Sequence, residues 1–302
     1  MNSNARDKTV GLVGLGAMGM PMALNILKAG HPLIAFDIDA RKNDQLAARG
    51  ASIGKGPADV KRRAKIVISM VDTTAQAEEV IMGPGGFIEA TQPGDLIISM
   101  STIDPAVLRA MGKALGAKQV DLIDSPVAGQ EKGAIAGTLK AFVGGTPAAL
   151  EKARPVLDSM TSEILHFGAL GQGTTMKLIN NMLIQITWVL VAEGLILGTK
   201  AGLDPKQMVE TIMKATGNSV AFEYSAPRIL ARNFEGTRLD ITFKDIELQL
   251  AMARSLKVPL FAASVGQQVF QMARAMGLGS EDGGAALIKV YEQLTGITVS
   301  AS

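Results

Sequence analysis

The sequence predicts an α/β protein in two parts: a doubly wound N-terminal domain over residues 1–170, followed by an all-helical C-terminal domain over 171–302. Three observations carry that prediction. The chain has 302 residues, about twice the length of a typical domain. Its first half alternates short β-branched runs with helical stretches, the pattern of a parallel sheet with crossover helices. Beyond Gly171 the strand signals stop, and apolar-periodic helices take over, punctuated by glycines, by Asp204-Pro205 and by Asn233-Phe234-Glu235-Gly236.

Taken in order, residues 9–13, 32–36, 66–70, 96–100, 119–123 and 139–143 read as strands of the doubly wound domain. Residues 18–29 and 40–48 have helical composition and stop at Gly30 and Gly50, glycine being favoured just past a helix end because it adopts a left-handed backbone without penalty. The basic run Lys61, Arg62, Arg63 and Lys65 directly precedes the apolar run 66–70 and reads as a solvated helix end. Residues 182–198 are apolar over nearly a membrane-spanning length. They contain Gln185, Glu193 and Gly194 and lack a basic flank on one side only, so a helix surrounded by protein on all sides is expected. Asp204 before Pro205 is an N-cap followed by proline at the first helical position, where its missing N–H costs nothing.

Composition narrows the functional classes. With 47% hydrophobic and 19% charged residues the chain is globular throughout. Thirty basic against twenty-eight acidic side chains leave a formal charge of +2, which gives no electrostatic case for nucleic acid or a membrane surface as partner. The absence of cysteine excludes disulfides, thiolate catalysis and cysteine-bound zinc, and no other metal site is expected. The N-terminal MNSNARDK is polar where a secretory signal needs an apolar core, so a cytoplasmic protein is expected.

The first motif with chemistry in it is VGLVGLGAMG at 10–19, an apolar run followed by Gly14, Gly16 and Gly19 and opening into a helix. This is the Rossmann dinucleotide turn, in which Gly14 permits the tight turn, Gly16 lets backbone amides approach a pyrophosphate, and Gly19 lets helix and strand pack closely. Leu15, Ala17 and Met18 complete it. Asp37 stands eighteen residues after Gly19 at the end of the second strand, where an acid accepts from the ribose hydroxyls of NAD and repels the extra phosphate of NADP. NAD is therefore the expected cofactor. Asp39 competes for that role, and Arg41 or Lys42 softens the discrimination.

Hydride transfer from an alcohol also needs a group to take the hydroxyl proton. The two histidines, His31 and His166, lie in or beside loops and read as structural. GQGTTMKLINN, 171–181, puts Lys177 and Asn181 four apart on one helix face. A lysine desolvated at the head of an apolar helix has a lowered pKa and can move a proton, with an amide to hold it. From spacing alone, a lysine near a helix start is more often a solvated surface residue.

At this point five motifs, in order, resemble those of the β-hydroxyacid dehydrogenases, the group that includes 3-hydroxyisobutyrate dehydrogenase and tartronate semialdehyde reductase. GLGAMGMPMA is similar to their cofactor turn, SMSTIDP (99–105) to their nicotinamide-side loop, and DSPVAGQEKGAIAGTL (124–139) to their substrate loop. GQGTTMKLINN is similar to their catalytic-lysine helix and FKDIELQL (243–250) to their C-terminal lysine motif. The resemblance implies that Lys177 is the general acid or base with Asn181 as its partner, both also meeting substrate. It further implies that Val71, Thr102 and Lys244 contact the cofactor, and that Ser125, Val127, Ala128, Gly129 and Gln130 line the substrate, with loop amides toward its carboxylate.

The implied reaction is reversible oxidation of a short 3-hydroxy acid to its semialdehyde, in a homodimer or homotetramer. The chain departs from the family where relatives usually carry a serine and a second glycine, here Ala128 and Gln130. The lost hydroxyl removes one carboxylate donor. Gln130 and Lys132 can supply others, to a bulkier or more polar acid group such as a sulfonate, and Lys132 reads equally as a loop charge in water. Two rivals are an imine reductase of the same fold, against which Lys177 argues, and a nonenzymatic NAD-binding interaction module.

Overall fold

The computed structural model describes residues 3–301, in two compact units that divide between Lys177 and Leu178. In the first, α1 (Ser3–Lys8) is followed by alternating strands and helices: β1 (Val10–Val13), α2 (Gly19–Lys28), β2 (Leu33–Phe36), α3 (Ala40–Ala47), β3 (Ser52–Ile53), α4 (Pro57–Arg63), β4 (Ile66–Ser69), α5 (Thr74–Met82), β5 (Leu96–Ser99), α6 (Pro105–Gly116) and β6 (Asp121–Asp124). All six strands are parallel, in the order β3-β2-β1-β4-β5-β6, so the chain reverses direction across the sheet between β1 and β4. Ligands of doubly wound sheets bind at that switch point, beyond the carboxyl ends of the strands.

Strand periodicity explains the core. Leu12, Ile68, Ile98 and Ile123 are register partners and all point to one face, fully buried. Val67, Ile97 and Leu122 are partners one residue earlier and face the other side, with Ile34 of β2. The same register brings Phe36, Val13, Ser69, Ser99 and Asp124 side by side at the carboxyl edge.

The run 139–143 is a strand as expected, but it belongs to a second sheet. That sheet is built from β7 (Val127–Ala128), β8 (Leu139–Val143) and β9 (Thr161–His166) in that order, with α7 (Gln130–Ala136) and α8 (Pro147–Leu157) between them. β3 and β7 are two residues long and β9 is of mixed polarity, which leaves no periodic signal in the sequence.

The division between units falls inside α9 (Gln172–Lys200). The second unit continues with α10 (Pro205–Ile212), α11 (Val220–Leu230), α12 (Leu239–Leu256), α13 (Phe261–Ala275) and α14 (Ile288–Thr295), around a core that includes Trp188, Phe222, Ile246, Phe270 and Leu287. Asp204 caps α10 as expected, its carboxylate accepting from the Gln207 N–H at 2.7 Å. α9 is long and apolar enough to cross a membrane by length and composition. The expectation that protein surrounds 182–198 on all sides needs correction: Leu183, Leu190 and Leu197, seven residues apart, are 63%, 60% and 72% exposed. Only the opposite stripe packs inward, where Gln185 donates to the Thr242 carbonyl at 3.1 Å and accepts from Gln249 at 2.8 Å.

A second correction concerns Lys61, which is fully buried rather than solvated. Its Nζ donates to the carbonyls of Ala64 and Lys65 and lies 2.7 Å from Asp95, whose two oxygens also accept from Arg6 at 2.7 and 2.6 Å. This triad ties α1 to the amino ends of β4 and β5. Burial pushes the Lys61 amine down to about 8, against the opposing pull of Asp95. The folded protein thus releases this proton near pH 8, whereas the unfolded chain keeps it up to the ordinary lysine value of 10.5. Because the unfolded state binds more protons in that window, stability rises with pH across it. Urea denaturation at pH 8 and pH 10 should therefore show wild type gaining on the order of 1–2 kcal/mol relative to Lys61→Met; a flat or falling difference would contradict it.

Candidate functional site

At the carboxyl end of β1 the three glycines have different reasons to be glycine. Gly14 has φ +100°, and a Cβ there would collide with the Met70 carbonyl. A Cβ on Gly19 would collide with the Gly14 carbonyl, so α2 starts in contact with the turn. A Cβ on Gly16 meets nothing within 4 Å. The chain's own packing therefore demands Gly14 and Gly19 but not Gly16, whose missing side chain leaves room for a group from outside. α2 has no acidic residue in its first turn to offset its partial positive end. These features fit a dinucleotide pyrophosphate. Leu15 is buried, Ala17 exposed and Met18 half-buried along the turn.

Asp37 follows β2 and is 8% exposed. One carboxylate oxygen accepts from the Leu15 N–H at 2.6 Å and the other from the Asp39 N–H at 2.9 Å, so Asp37 staples the glycine turn to the end of β2. Lys42 lies 3.7 Å away. Asp39 instead caps α3 and pairs with Arg41 at 2.9 Å, and that hydrogen bond holds its carboxyl below the ordinary range. Of the two acids, Asp37 is the one beside the turn. Val71 donates its N–H to Ser101 Oγ at 2.9 Å and stands over Gly14, while Thr102 is half-buried in the loop that follows β5.

At the far edge of the sheet Asp124 is fully buried, with its carboxylate accepting from the N–H groups of Gly171 and Thr174, both at 2.6 Å. Burial pushes this carboxyl up while the two N–H donors oppose the shift. The bonds fix the first turn of α9, which carries Lys177 and, one turn later, Asn181; both are half-buried. In the second unit Asn181 donates to Asp245 at 2.7 Å, and Asp245 lies 3.2 Å from Lys244.

Of the loop after β6, the Ser125 N–H donates to the Ser99 carbonyl at 2.7 Å and Val127 pairs with Ala141, so both are committed to the fold. Ser125 and Val127 are buried, Ala128 is half-buried, and Gly129, Gln130 and Lys132 are exposed. Gly129 and Gln130 have φ of +126° and +55°. His31 and His166 have their ring nitrogens on the carbonyls of Pro155 and Gly145. Asp124 and Asp245 stand inside two of the family-like motifs, but the sequence assigns neither a role. The available signal was an acid at the end of an apolar strand and an acid beside a motif lysine.

Residues 9–168 match the family model described as the NAD binding domain of 6-phosphogluconate dehydrogenase. Residues 171–291 match that described as NAD-binding of NADP-dependent 3-hydroxyisobutyrate dehydrogenase. Among curated relatives, the 2-(hydroxymethyl)glutarate dehydrogenase of Eubacterium barkeri is 39% identical, covering 96% of this chain and 97% of that protein. The mitochondrial 3-hydroxyisobutyrate dehydrogenase of Homo sapiens is 34% identical, covering 93% and 86%. The solved 3-hydroxyisobutyrate dehydrogenase of Salmonella typhimurium superposes with a TM-score of 0.84 at 30% identity, over 94% of this chain and 100% of that one. An imine reductase from Pseudomonas sp., at 19% identity and TM-score 0.59 over 94% and 99%, shares the fold.

The glycine geometry yields a split prediction. Gly16→Ala should fold with an unchanged melting temperature and lose dinucleotide affinity by 10-fold or more, whereas Gly19→Ala should melt lower with or without cofactor; equal behaviour of the two in calorimetry would remove the distinction.

Proposed function

The chain belongs to the β-hydroxyacid dehydrogenase family and is an NAD(P)-dependent dehydrogenase acting on a CH–OH group, and from that premise we propose that it oxidises a short 3-hydroxy acid reversibly, with Lys177 as the general acid and base. The supporting observation is that Lys177 and Asn181 follow one another on a helix whose start is pinned to the residue just before the substrate loop. In the oxidative direction the neutral Lys177 amine takes the hydroxyl proton as the carbinol becomes a carbonyl, and in reduction the ammonium returns it. Asn181, held by Asp245, orients the amine or the substrate oxygen. The turn Gly14–Gly19, Val71 and Thr102 would hold the nicotinamide cofactor, Lys244 being assigned to it through the family resemblance, and the cofactor would supply the hydride acceptor.

The preferred cofactor in this reading is NAD. What supports this reading is the Asp37 carboxylate at the end of β2, turned toward the glycine turn, since an acid there would accept from ribose hydroxyls and repel an adenosine 2'-phosphate.

The substrate carboxylate is assigned to the Gly129–Gln130 end of the loop, because the Ser125 amide is already bonded. Gln130 holds a left-handed backbone that costs a side-chain-bearing residue about 1–2 kcal/mol. Strain of that kind is retained where the side chain has work. Its carboxamide, with the Lys132 ammonium two residues on, suits a substrate bearing a second polar or anionic group. The Eubacterium barkeri relative bears the name of such a compound, a glutarate. For the assembly, a second copy of the chain covers the outward leucines of α9, as sedimentation would show; a monomer at working concentration would remove that contact.

A panel of 3-hydroxyisobutyrate, 2-(hydroxymethyl)glutarate, glycerate, threonate, serine, sulfonated analogues and cyclic imines, each with NAD and with NADP, tests the reading. Hydroxy acids should turn over with NAD, and Lys177→Ala should lower kcat by about 10²–10⁴-fold. Near wild-type turnover in that variant, or activity on imines alone, would overturn it. In the same assay Gln130→Gly should raise KM for substrates with a second acid group and spare the monocarboxylates, while gaining about 0.5–1 kcal/mol of stability. A uniform change in KM would remove Gln130 from substrate choice.

A further inference from the structure

We propose that Asp124 is the positioning residue for the proton-transfer step: its buried carboxylate sets the register of Lys177 against the substrate loop. This rests on Lys177 being the acid and base, and goes beyond it by assigning a residue that never touches substrate.

The first N–H groups of a helix have no partner within the helix, and at α9 one carboxylate satisfies two of them, Gly171 just ahead of the first turn and Thr174 within it. Both oxygens are used, and the charge lies at the positive end of the helix dipole. The carboxylate cannot drift, because the Asp124 backbone exchanges two hydrogen bonds with Gly144, at 3.0 and 2.9 Å. Nor can the helix slide. A Cβ on Gly144 would collide with the Asp124 carboxylate, and one on Gly173 with the Phe142 carbonyl, so the contact is already at its closest approach. Lys177 lies three residues beyond Thr174, and Ser125, which opens the substrate loop, is bonded directly to Asp124. One residue thus fixes where the loop begins and where the lysine's helix begins, so a shift of the carboxylate moves the amine relative to the hydroxyl it must reach.

The test is Asp124→Asn in the full chain with saturating cofactor. The carboxamide is nearly isosteric, but its NH₂ must face one of the two N–H donors, so one bond and the charge are lost together. With 3-hydroxyisobutyrate or 2-(hydroxymethyl)glutarate as substrate, whichever turns over faster, kcat should fall on the order of 10²-fold. KM and dinucleotide affinity should stay within about 3-fold. Leu115→Ala, a core truncation in α6, supplies the comparison: it should lower the melting temperature while leaving kcat per folded enzyme intact. Should Asp124→Asn not fold, Gly171→Ala is the milder probe, straining one donor at φ +91° while leaving the carboxylate in place, and it should lower kcat in the same selective way. Wild-type kcat in whichever of these variants folds overturns the inference. If Lys177→Ala is inactive in that case, only the inference fails. An active Lys177→Ala overturns the functional reading beneath it.

Discussion

Two N–H groups on one buried carboxylate determine where the 29-residue helix α9 leaves the sheet. Asp124 has no exposed surface, and burial alone would favour its neutral form; the N–H donors on both oxygens favour the charged one. Such a group is expensive to bury and costly to leave half-satisfied, so the geometry around it has little freedom. The collisions that any side chain on Gly144 or Gly173 would make show how tightly the backbone closes on it. Loop and helix inherit their positions from that closure.

At the other end of the strand row, the glycine turn is held by an analogous device. Asp37 accepts from Leu15 across the gap between β1 and β2, just as Asp124 accepts from α9 across the gap beyond β6. In both places a carboxylate at a strand end uses its oxygens on main-chain N–H groups, which lets a parallel sheet present irregular loops without unsatisfied backbone. Asp37 can hold the turn and still accept from a ribose, because a carboxylate has about four acceptor sites and two are occupied. The open space at Gly16 is the complementary feature, a place where the protein's own packing asks for nothing.

The sequence foretold those parts of the fold that rest on local chemistry. Apolar β-branched runs became strands within a residue or two, Gly30 and Gly50 followed helix ends, and Asp204 capped its helix, because each signal lies within a few residues of its effect. Features that depend on distant partners were not legible. Lys61 looked like a solvated charge because its partner Asp95 belongs to another strand's approach, and the exposed leucines of α9 looked buried because hydropathy does not say which stripe faces the core. Lys177 was ordinary by spacing and stood out only through the family resemblance. Asp124 stands inside the motif 124–139, and nothing in the sequence pairs it with Gly171 and Thr174.

The central step of the proposed reaction is departure of hydride from the carbinol carbon of a 3-hydroxy acid while Lys177 receives the hydroxyl proton. The most direct measurement uses a hydroxy acid carrying deuterium on the carbinol carbon, following label into the reduced dinucleotide by mass spectrometry in wild type and in Lys177→Ala. Wild type should transfer the label stoichiometrically to the nicotinamide, and the variant almost none over the same interval. Transfer at equal rates in both, or reduced dinucleotide formed without label, would contradict it.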